Sequence, residues 1–156
     1  MKILVTGGTG MVGSAFNDVR LDYPNHDFIL VGSKDYDLTN RDECDQMIST
    51  HNPDSIIHLA ARVGGVKGNS DFVADFYFDN IMMNTNLLNS AYKFNINKVL
   101  SLLSTCIYPD KATYPLTEDQ IHSGAPHESN FGYAYAKRML DIHSRALRQQ
   151  YGCNFI

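Results

Sequence analysis

A chain of 156 residues, 44% hydrophobic and 19% charged, is about one domain and is large enough to bury a continuous core. Its formal net charge of −4 argues against nucleic acid as the main partner, and no apolar run approaches the roughly 20 residues that span a bilayer. Cys44, Cys106 and Cys153 are odd in number and widely spaced. They form neither a disulfide framework nor a metal-ligand pattern, so a reducing, cytoplasmic compartment and no bound metal are expected.

The apolar run at Lys2–Thr6 predicts a first strand, and Gly7-Gly8-Thr9-Gly10-Met11-Val12-Gly13 follows it directly. Glycines at this spacing permit a tight turn, close approach of a pyrophosphate to the main chain, and tight packing of the next helix on the strand. That helix is predicted at Met11–Leu21, and its N-terminus offers free N–H groups and a positive dipole end to an anion. Gly7, Gly8, Thr9, Gly10, Met11, Val12 and Gly13 are therefore assigned to dinucleotide binding.

A second strand is predicted at Phe28–Val31, ending in Gly32-Ser33-Lys34-Asp35. In such folds the residue that reads the adenosine ribose stands about 20 residues past the glycines. Lys34 with Ser33 would pair with a 2′-phosphate and favour NADP(H), whereas Asp35 in that role would favour NAD; the lysine reading is preferred. Asp37 with Leu38 is placed against the adenine. A second helix is predicted at Arg41–Thr50, capped by Thr39 or Asn40 and stopped by Asn52-Pro53-Asp54.

The third strand is expected at Ser55–Leu59, and the small residues after it bring Leu59, Ala60 and Ala61 against the cofactor. His58 reads as a satisfied residue at a strand end. Helices at Phe72–Asn95 and Tyr133–Tyr151 flank a fourth strand at Lys98–Ser104, and a fifth strand begins near Cys153. Strands alternating with helices imply a doubly wound parallel sheet of Rossmann type covered on both faces. The polar stretch between Pro109 and Asn130 reads as a long loop of the kind that is usually functional or mobile. A strand barely begun at Ile156 suggests the N-terminal part of a longer protein, with residues 1–156 an incomplete NADP-binding domain and the substrate domain elsewhere.

Chemistry enters with Tyr133-Ala134-Tyr135-Ala136-Lys137, which places Tyr133 and Lys137 on one helix face. A lysine beside a phenol favours the phenolate and is expected to lower its pKa. The spacing alone also fits a half-buried core tyrosine beside a solvated lysine. Ser104-Thr105-Cys106-Ile107-Tyr108 at the end of the fourth strand strengthens the first reading, because ligands of doubly wound sheets lie at the carboxyl ends of strands.

The ordered set of glycine turn, Ser104 and Tyr133/Lys137 resembles the extended short-chain dehydrogenase/reductase superfamily. Ser104-Thr105-Cys106-Ile107-Tyr108-Pro109, His58-Leu59-Ala60-Ala61 with Val63-Gly64-Gly65, and Asn130-Phe131-Gly132-Tyr133 through Met139 are similar to its GDP-4-keto-6-deoxy-D-mannose epimerase/reductases. The resemblance covers the whole chain, as roughly the first half of such an enzyme. It implies a homodimeric NADP(H) oxidoreductase and isomerase on a GDP-sugar, in GDP-L-fucose biosynthesis. Tyr133 would donate a proton to the keto oxygen and Ser104 would polarise it. Lys137 would hold the nicotinamide ribose and tune Tyr133, and the Cys106 thiolate would be the epimerisation base. Taken without the resemblance, Cys106 reads as a buried structural thiol. The family's histidine acid belongs to a later segment, and none of the six histidines here matches it.

Apolar residues on the Phe72–Asn95 and Tyr133–Tyr151 helices exceed a single core-facing stripe, which predicts a two-fold four-helix dimer contact. The competing readings are another nucleotide-sugar epimerase or dehydratase of the superfamily, and a non-catalytic NADP-binding regulatory protein. Lys34 and Cys106 speak against a 4-epimerase, the lack of an acidic pair beside Ser104 against a dehydratase, and the intact serine, tyrosine and lysine against a regulator.

Overall fold

The computed structural model describes the backbone of residues 1–156 and the side chains of all of them except Val66. Nine elements follow in order: β1 (Lys2–Thr6), α1 (Met11–Val19), β2 (Asp27–Val31), α2 (Arg41–His51), β3 (Ser55–His58), α3 (Gly65–Asp71), α4 (Val73–Lys93), β4 (Lys98–Ser101) and α5 (Phe131–Tyr151). The strands form one parallel sheet in the order β2-β1-β3-β4, with Leu4 beside both Ile29 and Ile56, and Ile56 beside Val99. A parallel sheet covered on both faces buries successive residues of its inner strands. Accordingly Ile3, Leu4, Val5 and Thr6 are all buried. The core joins the sheet to Leu87, Leu88 and Ala91 of α4 and to Leu140 and Leu147 of α5.

Beyond α5 the chain turns back along β4. Phe155 bridges Val99 in parallel, with the Ile156 N–H donating to the Val99 carbonyl at 2.8 Å. This is the fifth strand expected near Cys153, present as a single bridge.

Local chemistry sets the helix ends. Asn40 caps α2 by accepting from the Asp42 N–H at 3.0 Å, and the left-handed Asn52 (φ 44°) closes it just before Pro53. Gly152 (φ 71°) ends α5 in the same way.

Several element ends differ from the sequence reading by one or two residues, and three differences have an instructive cause. α1 stops at Val19 and continues as a single 3-10 turn, Arg20–Asp22. β4 stops at Ser101 rather than Ser104, because Ser104 caps a separate 3-10 turn at Thr105–Ile107, accepting from the Cys106 N–H at 3.3 Å. The short helix α3 was not anticipated: two of its seven residues are glycine, and its apolar content is too small for a periodic signal.

The long loop is tied down by Arg138 of α5. This buried guanidinium donates from Nε to the Ile107 carbonyl at 2.6 Å and from Nη1 to the Gly124 carbonyl at 2.7 Å. Two 3-10 turns, Glu118–Gln120 and Glu128–Asn130, give the loop internal structure.

Candidate active site

A cleft of about 730 Å³ opens at the carboxyl ends of β1, β2 and β3. Gly7, Thr9, Gly10, Met11 and Val12 line one part, Ser33 and Asp37 another, and Leu59, Ala60 and Ala61 a third. Tyr133 lies at one limit of the cleft. No side chain caps the N-terminus of α1, so its first N–H groups are left for a ligand.

The glycines act by close approach. A Cβ on Gly13 would stand 2.5 Å from the Gly7 carbonyl oxygen and from Gly8, so only glycine lets α1 seat on the turn. Gly7 has φ 71° and lies against the Ala60 backbone, where a Cβ would come within 2.7 Å of the Ala60 nitrogen. Gly8 packs on Leu30, so Gly8 and Gly13 shape the turn from behind the cleft.

At the tip of β2 the two candidate ribose readers separate. The Asp35 carboxylate accepts from the Gly32 N–H at 2.8 Å and closes its own turn. Lys34 is exposed beside the cleft and outside its lining, whereas Ser33 lines it. Asp37 is held by the Thr39 hydroxyl at 2.7 Å, and its N–H donates to Glu43 at 2.6 Å.

The candidate residues Ser104, Cys106 and Tyr133 lie where the 3-10 turn after β4 packs on α5. Burial lifts the Tyr133 phenol above its ordinary pKa; a hydrogen bond from the Ser104 side chain pulls it part of the way back, and a negative charge on Cys106 pushes it up. Ser104 and Cys106 are thus the two neighbours that act on the Tyr133 phenol. The expectation that Lys137 lowers the phenol pKa is corrected here. Lys137 is only 2% exposed, its Nζ donates to the Leu102 carbonyl at 3.0 Å, and burial drives its own pKa down to about 8. That burial equally removes the reading of Lys137 as a solvated lysine.

Sequence reasoning left Arg62 aside, although it lines the cleft. Its guanidinium pairs with Asp79 at 2.5 Å and Asp75 at 3.7 Å, and its backbone N–H donates to the buried Asn80 side chain at 3.1 Å. The signal was present as two aspartates four apart on α4, the spacing that puts both on one helix face.

His58 is fully buried and satisfied. The Asn84 amide nitrogen donates to the Ala136 carbonyl at 3.3 Å, so its oxygen, 3.0 Å from His58 Nε2, accepts the imidazole proton. His58 Nδ1 then accepts from the Thr6 hydroxyl at 2.7 Å. Burial first, and the Lys137 charge second, push the imidazole down to about 3. The unfolded chain takes up this proton near pH 6.5, whereas the folded chain resists until about pH 3. Stability from this group is therefore complete above pH 6.5 and is lost as pH falls toward 3, at up to about 1.4 kcal/mol per unit. Urea titrations at a series of acid pH values are expected to have a smaller acid slope in His58→Gln than in the parent.

A model of the NAD dependent epimerase/dehydratase family matches residues 3–156. A GDP-L-fucose synthase of Dictyostelium discoideum is 45% identical over 155 residues, which are 98% of this chain and 48% of that protein. A probable GDP-L-fucose synthase of Drosophila melanogaster is 44% identical over 97% of this chain and 48% of its own length. Among solved structures, a GDP-L-fucose synthetase from Naegleria fowleri bound to NADP matches with a TM-score of 0.89 at 44% identity, over 99% of this chain and 51% of that one. This chain thus spans about half the length of the curated relatives it matches. A family model matched along essentially its whole length, on a parallel sheet with the glycine turn at its first strand, places this chain in the NAD dependent epimerase/dehydratase family.

Proposed function

We propose that this chain is the cofactor-binding half of an NADPH-dependent epimerase/reductase that converts GDP-4-keto-6-deoxy-D-mannose into GDP-L-fucose. One observation carries the reading: the Tyr133 phenol, at the edge of a glycine-lined cleft, is acted on by both the Ser104 side chain and Cys106. The relatives named GDP-L-fucose synthase support the substrate, and the NADP-bound neighbour supports the cofactor. The uncapped α1 N-terminus and the Gly7–Gly13 cradle suit a pyrophosphate.

The cofactor would supply a hydride to the keto carbon. The chain's own residues do the proton work. The Cys106 thiolate takes a proton from a carbon beside the keto group, and Tyr133 with Ser104 stabilises the oxygen that gains charge. In the reduction the same Tyr133 hydroxyl protonates that oxygen, a role suited to a phenol kept in its acid form by burial. Ser33 and Lys34 would meet the 2′-phosphate, Asp37 the adenosine, and Lys137 the nicotinamide ribose. Domain completion, with substrate residues beyond this half, agrees with the share of each relative that the chain covers.

Tyr77 and Phe78 of α4, together with Tyr135, Met139 and Ile142 of α5, are exposed on the two helices proposed to pair with a second copy. Three free thiols support a reducing, cytoplasmic setting. Among the described residues no helix is long and apolar enough to cross a membrane.

The cofactor reading is tested by titrating the full-length protein and this chain with NADPH and NADH. NADPH is expected to bind the more tightly, and Lys34→Ala to weaken NADPH by about tenfold or more while leaving NADH unchanged. Equal loss for both cofactors would remove Lys34 from the 2′-phosphate. This chain alone is expected to bind the cofactor and turn over nothing.

A further inference from the structure

Cys106 faces a second cavity of about 310 Å³, walled by the Thr105–Ile107 turn and the loop from Pro109 to Asn130. Tyr108, Tyr114, Asp110 and His127 share its lining. The chemistry of the last two is set by local hydrogen bonds. The Ser129 backbone N–H lies 3.1 Å from His127 Nδ1, and an N–H only donates. The Nδ1 lone pair is therefore engaged, and the neutral ring carries its proton on Nε2. Nε2 in turn is 3.9 Å from the Asp110 carboxylate oxygen.

At 3.9 Å the two do not hydrogen-bond directly. Among the described residues neither the His127 Nε2 nor the Asp110 carboxylate has a hydrogen bond of its own. The cavity thus presents one donor beside one acceptor, both solvent-accessible (side chains 62% and 52% exposed) and both without a protein partner among the described residues. An alcohol hydroxyl both donates and accepts, so a single hydroxyl satisfies the pair at once, whereas an ion of either sign satisfies only half of it. Two tyrosine rings in the same lining supply apolar faces suited to a sugar ring.

We propose that Asp110 and His127 form a hydroxyl-recognising pair that seats the ring of the keto-sugar against the Cys106 thiol. The pair serves specificity and position, and takes no part in proton removal. The assignment rests on the epimerase/reductase reading above. It divides the site in two, with hydride chemistry at the Tyr133 cleft and ring hydroxyls held in the Cys106 cavity.

Steady-state kinetics of the full-length enzyme with GDP-4-keto-6-deoxy-D-mannose test the pair. His127→Ala and Asp110→Ala are each expected to raise KM about tenfold, the ~1.4 kcal/mol of one hydrogen bond. Their kcat should change less than threefold, and their NADPH affinity should be that of the parent. His127→Gln keeps an N–H donor in reach and should recover part of the loss. The double variant should lose less than the product of the single losses, because both groups hold one hydroxyl. Unchanged KM in both single variants, or additive losses, would overturn the shared hydroxyl. A parallel loss of NADPH affinity would overturn it too, by revealing a loosened loop. A parent enzyme that leaves the GDP-keto-sugar untouched overturns the proposed function, and this inference with it.

Discussion

Replacing Tyr133 by phenylalanine is expected to lower kcat for keto reduction in the full-length enzyme by about 10²–10⁴-fold, with NADPH affinity and folding unchanged. The ring that packs against the start of α5 stays, and only the hydroxyl is lost. Tyr133 is 9% exposed, so its burial is mostly that of the ring. Its hydroxyl is the group on which the Ser104 hydrogen bond and the Cys106 charge converge. Ser104 would remain as a lone donor to the keto oxygen, but a serine hydroxyl is too weak an acid to deliver a proton to the developing alkoxide. The pH profile provides a second readout. Burial raises the phenol, so the acid form persists through neutral pH and reduction should decline only on the alkaline side. That alkaline limb should disappear in Tyr133→Phe. A variant that reduces at the parent rate would remove Tyr133 from proton delivery and leave the oxygen to Ser104.

How much of this was legible in the sequence depends on whether the cause was local. The glycine turn was legible because its demands fall within seven residues: Gly7 needs a positive φ, and Gly13 must meet the turn backbone. The Asn40 cap and the Asn52 stop were legible for the same reason. Strand ends were less so, since hydrophobic continuity through Leu102 and Leu103 hid the point where the Ser104 turn takes over from the ladder. The protonation chemistry was the least legible. Tyr133 and Lys137 stand four apart in sequence, but their pKa values follow from burial and, for Tyr133, from Ser104 and Cys106 far back along the chain, which no spacing records. The same holds for the His58–Asn84–Ala136 chain of contacts, which joins β3, α4 and α5 across 26 and 52 residues. Lys137 was expected to act on the phenol; what the fold does first is hide its amino group against the Leu102 carbonyl.

Cys106→Ser separates the two halves of the proposed reaction. Epimerisation needs a base that is ionised near neutral pH, and a serine hydroxyl holds its proton far more tightly than a thiol. In deuterium oxide, with the GDP-keto-sugar and no reductant, wash-in of deuterium beside the keto group should fall by about 10²–10⁴-fold. The oxygen-stabilising pair Ser104 and Tyr133 is untouched, so hydride transfer to the unepimerised keto-sugar should continue and the product should be the unepimerised 6-deoxy sugar. Because the Cys106 N–H caps back onto Ser104 through the main chain, the substitution leaves that turn in place. NADPH affinity should therefore hold as well. Two outcomes would reject the thiolate as base: parent-rate exchange in Cys106→Ser, or loss of exchange and reduction in equal measure. Equal loss would mean that the thiol supports the geometry of the Ser104–Tyr133 pair, since both steps share that pair and only one of them needs the sulfur.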